Sequence, residues 1–363
     1  MQRTKLVGFL FGAALALATF MPSPSLATIL FAGGEDVDFT FIGSVSITTS
    51  AGQFRSGYAR ESVGAANSST ASDPPTNRFL TPVVANQTVL WIHGTNVAGL
   101  SSTTANNQMI GVYGSDGVRR LLVRQTGTNG QVKISKRDSG GTITDLVTCT
   151  VGAWPIGGGT QKLDWFVNYA VAGEVTLYVN GTQFCDYVGD VTTNSVTAVN
   201  QVDFAGQTSS AGINWSEVIL STTDTRSMNI LTCYPVANGT NMAWTGSFAN
   251  VNGTTANDAT PLTSSASNQV GEFTCPALPA GSFSVPAVTQ TARLLKGASG
   301  PQTFRFIIRP SSGSTDYDNG SDLSLTTNFA NYSTVWSLNP ACSCSWTTAD
   351  VTTGVNQGAK SRP

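Results

Sequence analysis

The 363-residue chain is poor in charge, with 11% Asp, Glu, Lys and Arg, and it holds a single histidine, His93. Each scarcity closes off a class of function. No cluster of Lys and Arg offers itself to phosphates, so nucleic acid is not an expected partner. One histidine and no Cys-x-x-Cys pair leave no zinc set of familiar spacing. His93 sits in VLWIHGTN without a Gly-x-Ser-x-Gly elbow, so Ser–His hydrolase chemistry has no nucleophile. GAWPIGGGT has glycines, but it lacks the Lys-Ser/Thr ending and following helix of a phosphate-cradling loop. A paired-carboxylate set such as Glu-x-Asp-x-x-Glu is missing as well. The nearest acidic run is Glu35-Asp36-Val37-Asp38. In an extended strand Asp36 and Asp38 would share a face and Glu35 would not, so it reads as an acidic loop. The expectation is a protein without catalytic residues.

Long apolar runs are scarce too. The only one, LVGFLFGAALALATF, follows Arg3 and Lys5 and precedes MPSPSLA. That order reads as an export signal over residues 1–27, cut after Ser25-Leu26-Ala27 so that the mature chain starts at Thr28. The run is short for a membrane span of roughly 20 residues, and no membrane contact is expected after cleavage. Six cysteines follow, at 149, 185, 233, 275, 342 and 344. An even count in an exported chain suggests bridges. The expected pairs are Cys149–Cys185 and Cys233–Cys275, each within one block of strand-like sequence. Cys342-Ser343-Cys344 is too tight for an ordinary bridge between neighbouring strands, which leaves free thiols or outward bridges.

What fills the chain instead is Gly, Ser, Thr and Asn between short alternating runs. Val132 and Ile134 share one strand face, and Lys133 and Ser135 share the other. Trp165, Val167 and Tyr169 alternate along LDWFVNY, and Val175, Leu177 and Val179 along EVTLYV. Asn180-Gly181 then gives the strongest short hairpin signal, because both central residues of a type I′ turn need positive φ. No ten-residue amphipathic helix appears after the leader. Evenly spaced short strands predict an all-β protein of sandwiches or barrels. A boundary is expected near STTDTRSMN, giving a block over 28–225 and a smaller, turn-rich one over 230–363. At the end, Thr347-Thr348-Ala349-Asp350 has capping-box spacing. It predicts that Thr347 accepts a backbone N–H and Asp350 reaches back. A single helical turn, a stop at Gly354, a last strand over Val355–Lys360, and Trp346 covering one end should follow.

EVTLYVNGTQFCDYVGD, followed by VDFAG and INWSEVIL, resembles concanavalin-A-like, laminin-G-like sandwiches. With INWSEVILSTTDTRSM and the closing VWSLNPACSCSWTTADVTTGVNQGAKS, the whole resembles phage- and prophage-encoded virion surface proteins. The resemblance implies two β-sandwiches in series, the first a laminin-G-like jelly roll. It also implies surface display and binding rather than turnover. The expected function is a non-enzymatic structural or adhesive surface protein, secreted or virion-borne. Its partners would be cell-surface or virion components and glycans, and self-association stays open. A secreted bacterial lectin is the alternative, and a glycosidase on the same fold a weaker third. Sugar binding would draw on aromatics near turns, Trp91, Tyr113, Trp154 and Tyr187, whereas alternation places Trp165 and Trp215 in the core. No cofactor is expected apart from calcium, which laminin-G-like domains hold with loop carboxylates. Its candidates here are Asp116, Asp186 and Asp190, all residues that also simply form turns.

Overall fold

A computed structural model describes residues 28–48, 62–65, 74–97, 105–128, 130–152, 160–193, 196–205, 213–253, 257–278, 281 and 283–363. The leader over 1–27 and Trp154 lie outside the described residues.

The chain is an all-β sandwich protein, and among the described residues every strand pairing is antiparallel. The strands between Ile29 and Ser221 build two sheets. The eight-stranded sheet runs Thr182–Gly189, Gly173–Val179, Thr160–Asn168, Val89–Val97, Ile213–Ser221, Ser62–Ala65 and Val45–Thr48, with Ile29–Gly33 also on Ile213–Ser221. The seven-stranded sheet runs Ile143–Thr148, Val132–Arg137, Arg119–Gln125, Gln108–Gly114, Val199–Ala205, Arg78–Leu80 and Thr40–Ile42. One core lies between them. Leu90, Ile92, Trp165, Val167, Leu177 and Trp215 come from one sheet, and Ile110, Val112, Leu121, Val123, Ile134 and Phe204 from the other. The alternation read from the sequence is realised here, since one parity of each strand faces in and leaves the other for the outer face. Asn180 and Gly181 have φ of 51° and 78°, the type I′ hairpin that their residue types favour.

The remaining strands form a six-stranded sheet and a two-stranded one, Val288–Leu294 with Ala330–Trp336. A second, smaller core sits between them around Phe304, Phe306, Ile308, Trp336 and Trp346. The last strand, Asn356–Arg362, is inserted between Val270–Thr274 and Thr303–Arg309, in the middle of the six-stranded sheet. The two halves touch. Thr289 Oγ1 donates to Ala32 O at 3.2 Å, and Asn331 Nδ2 donates to Phe39 O at 3.1 Å. Among the described residues no helix is long and apolar enough to cross a membrane.

The closing segment departs from its expected cap in one detail. The helical turn Ala349–Thr352 forms, and Gly354 ends it at φ 88°. Its N-cap, however, is Thr348, with no side-chain cap bond. Asp350 does reach back, accepting the Thr347 backbone N–H at 2.8 Å. The Thr347 hydroxyl donates to the same oxygen at 2.7 Å instead of accepting an amide. A carboxylate is the stronger acceptor, so it takes both donors. Burial pushes the Asp350 carboxyl up, but the hydrogen bonds from Thr347 and Ser312 outweigh it and hold the group below the ordinary carboxylate range. A depressed carboxylate stabilises the fold above its unfolded value, and that contribution is lost as pH falls through the folded value. Asp350→Asn is therefore expected to melt below the parent at neutral pH, with the gap closing below about pH 4. Melts recorded across that range check it, and a gap that does not change with pH would remove the charged hydrogen bonds from the account.

The cysteine pairs Cys149–Cys185 and Cys233–Cys275 are bridged, with Cα separations of 5.1 and 5.6 Å. Cys342–Cys344 is bridged as well, against the expectation of free thiols or outward bridges. The expectation rested on the close spacing, which rules out a bridge between neighbouring strands but not one across a tight turn. Ser343 is left-handed, at φ 54°, and the reversal brings the two Cα atoms to 5.2 Å.

Candidate functional site

The outer faces of the two large sheets differ in chemistry. On the eight-stranded sheet, inward Trp165 and Val167 force Phe166 outward, and inward Leu177 and Val179 force Tyr178 outward. Trp91 lies directly across from Phe166 in the ladder. The three rings meet on this face, outside the core. Trp91 and Phe166 centroids are 5.0 Å apart, and Trp91 and Tyr178 are stacked at 5.8 Å. All three are half-buried.

Further along the same strands, polar groups bond one another. Asn180 Oδ1 accepts the Lys162 backbone N–H at 2.9 Å, and Asn180 Nδ2 donates to Gln161. Lys162 Nζ donates to Asn229 Oδ1 at 2.7 Å. The segment after the Ile213–Ser221 strand folds back across the face as a strap. Asp224 Oδ1 accepts the Arg226 backbone N–H at 2.9 Å, and the Met228 N–H donates to Thr225 O at 2.8 Å, so two tight turns shape it. Thr225 is buried between exposed Asp224 and Arg226. Arg226 puts its guanidinium carbon 4.5 Å from the Tyr178 centroid and 5.6 Å from that of Trp91. Its Nε and Nη2 fork onto Asp224, which keeps the guanidinium charged and holds the Asp224 carboxyl below its ordinary range.

Beneath the strap, Asp164 Oδ1 accepts from Thr225 Oγ1 and from His93 Nδ1, both at 2.7 Å. His93 is fully buried. The one imidazole in the sequence is therefore held against a carboxylate under the strap.

The seven-stranded sheet carries a sealed polar network on its outer face. Tyr113 donates to Asp203 Oδ2 at 3.0 Å, and Arg119 donates to Asp203 Oδ1 from Nε at 3.1 Å and from Nη2 at 2.7 Å. Gly111 makes room for it, since a Cβ there would stand 1.9 Å from Arg119 Nε. Burial, then the Asp203 charge, pushes the Tyr113 hydroxyl well above its ordinary value.

Of the described sequence candidates for sugar binding, Trp91 joins a half-exposed aromatic cluster, while Trp154 lies outside the described residues. Tyr113 is corrected. It is 7% exposed, and both its ring and its hydroxyl are committed inside, so it presents no stacking face. Nearness to a turn misleads there because Gln108–Gly114 is buried on both faces. Tyr187 is half-buried, and its ring packs against the first core. The calcium candidates are not brought together, and among the described residues no three His, Cys, Asp or Glu side chains form a metal-holding group. Asp116 accepts from Arg120 and from the Val118 N–H, Asp186 from Gln183, and Asp190 from Thr192 with Lys136 at 3.3 Å. Each carboxylate already accepts a hydrogen bond from its own neighbourhood. Phe166, Tyr178 and Arg226 were missed. The first two were legible as the complement of the inward alternation, whereas Arg226 depends on the strap folding back.

No protein-family model matches the sequence, and no curated protein matches it. Among solved structures the chain is similar to the receptor-binding domain of botulinum neurotoxin type G, at 11% identity and TM-score 0.35, over 53% of this chain and 47% of that one. It thus spans about half the length of that domain. It is similar to the endo-β-1,4-glucuronan lyase of the fungus Trichoderma reesei, at 12% and 0.39, over 54% and 96%. It is also similar to a carbohydrate esterase from Shiga toxin-encoding bacteriophage phi24B, at 10% and 0.36, over 55% and 100%. Binding domains and enzymes both appear, and at these values the likenesses assign no function.

Proposed function

We propose that this is a non-enzymatic surface protein, exported and of phage- or prophage-like origin, that adheres to glycans through the outer face of its eight-stranded sheet. The carrying observation is the cluster of Trp91, Phe166 and Tyr178, three half-buried rings outside the core, on strands that also carry the amides of Gln161 and Asn180 at their hairpin and Lys162, which bonds Asn229 of the strap. Pyranose faces stack on aromatic rings, and their hydroxyls take hydrogen bonds from such amides and charged groups. Three bridged cysteine pairs agree with export to an oxidising compartment. The sealed His93 supports binding without turnover.

Display of the protein on a glycan array tests this. The parent is expected to give signal on a restricted set of glycans. Tyr178→Ala and Trp91→Ala should each weaken it about tenfold, close to the ~1.4 kcal/mol upper end of an aromatic contact. Variants that stay folded and bind as the parent does would defeat the reading, as would a parent that binds no glycan.

A further inference from the structure

The platform carries a cover of its own. Resting on the glycan reading above, we propose that Arg226, held on the strap from Thr223 to Asn229, closes Trp91 and Tyr178 in the free protein and is displaced when a sugar ring takes its place.

The guanidinium lies over the ring surfaces that stacking would use, 4.5 Å from Tyr178 and 5.6 Å from Trp91. Its charge is satisfied within the strap, because the fork onto Asp224 joins two residues only two positions apart. That ion pair travels with the side chain and asks nothing of the sheet. The strap itself is pinned elsewhere, by Thr225 on buried Asp164 and by Asn229 on Lys162. Arg226 can therefore swing off the rings while the backbone stays anchored. No ion pair breaks and no buried charge is stranded. What is lost is ring contact and the attraction of a partly exposed cation for two aromatic faces, a weak interaction at such sites. A ligand that stacks on the same rings replaces it at small cost. A cover of this kind keeps an adhesive aromatic patch away from other apolar surfaces until its ligand arrives.

Two measurements on folded Arg226→Ala decide the matter. In the first, acrylamide quenches tryptophan fluorescence in parent and variant, each compared with its Trp91→Phe counterpart to isolate the Trp91 signal. In the second, both proteins are titrated on the immobilised glycans of the array. Expected are a more quenchable Trp91 and an apparent affinity about two- to fivefold higher, the size of one exposed cation–ring contact. Unchanged quenching overturns the cover. Weaker glycan binding overturns it as well, and makes Arg226 a ligand contact. Unchanged affinity that still depends on Trp91 removes the cover and leaves the platform standing. Increased quenching with no glycan bound by either protein keeps the cover and removes the sugar.

Discussion

Trp346→Ala is expected to cost roughly 3–5 kcal/mol, the usual range for removing a large aromatic from a core. Trp346 is 4% exposed and packs in the second core with Phe304, Phe306, Trp336 and Val351. Its Nε1–H donates to the Trp336 backbone carbonyl at 2.7 Å in a buried setting. Alanine would lose the packing, leave a cavity and strand that carbonyl without its donor. The position also ties the chain together. Trp346 precedes the helical turn Ala349–Thr352, which delivers the last strand into the middle of the six-stranded sheet. A loosened Trp346 therefore loosens the strand on which both neighbours pair. For a unit of this size the melting temperature should fall by about 10 °C or more. Thermal melts followed by near-ultraviolet circular dichroism report it. A variant that melts with the parent would mean that the ring carries little of the second core.

Much of this architecture could be read from residues alone, for a simple reason. Period-two alternation reports which side of a strand is wet. Trp165, Val167 and Leu177 announced the first core, and Asn180-Gly181 announced its hairpin. Pairing partners were not legible, since alternation is silent about neighbours. The consecutive strands Val199–Ala205 and Ile213–Ser221 enter different sheets, and the final strand pairs with two that lie far back in sequence. The site was legible in half. Phe166 and Tyr178 follow from the same alternation that buried their neighbours. Tyr113 failed because the outer face of its own sheet is closed over the Arg119–Asp203 pair. Arg226 and Asp224 were hidden in STTDTRSMN, which reads as a linker. Nothing in that string says that it folds back over the rings.

The three disulfides are expected to differ in worth. A bridge stabilises chiefly by restricting the unfolded chain, and the effect grows with the loop that it closes. Cys149–Cys185 spans 36 residues and Cys233–Cys275 spans 42. The chain-entropy relation gives each about 4 kcal/mol. Cys342–Cys344 spans 2, and the same relation leaves it between about 1 and 2 kcal/mol. Packing widens the contrast, since Cys149 and Cys185 belong to the first core and Cys275 to the second, whereas Cys342 and Cys344 are exposed. Paired Cys→Ser variants, melted one pair at a time, should rank accordingly. The long-loop pairs should fall far, and the 342/344 pair should stay close to the parent. Because the first two bridges sit in separate cores, calorimetry should also show them lowering different transitions. Peptide mapping without reductant confirms the pairs independently. A loss at 342/344 as large as at the other two would mean that this bridge acts in the folded state, as the clamp that sets the chain on course for Trp346, and not through the unfolded chain.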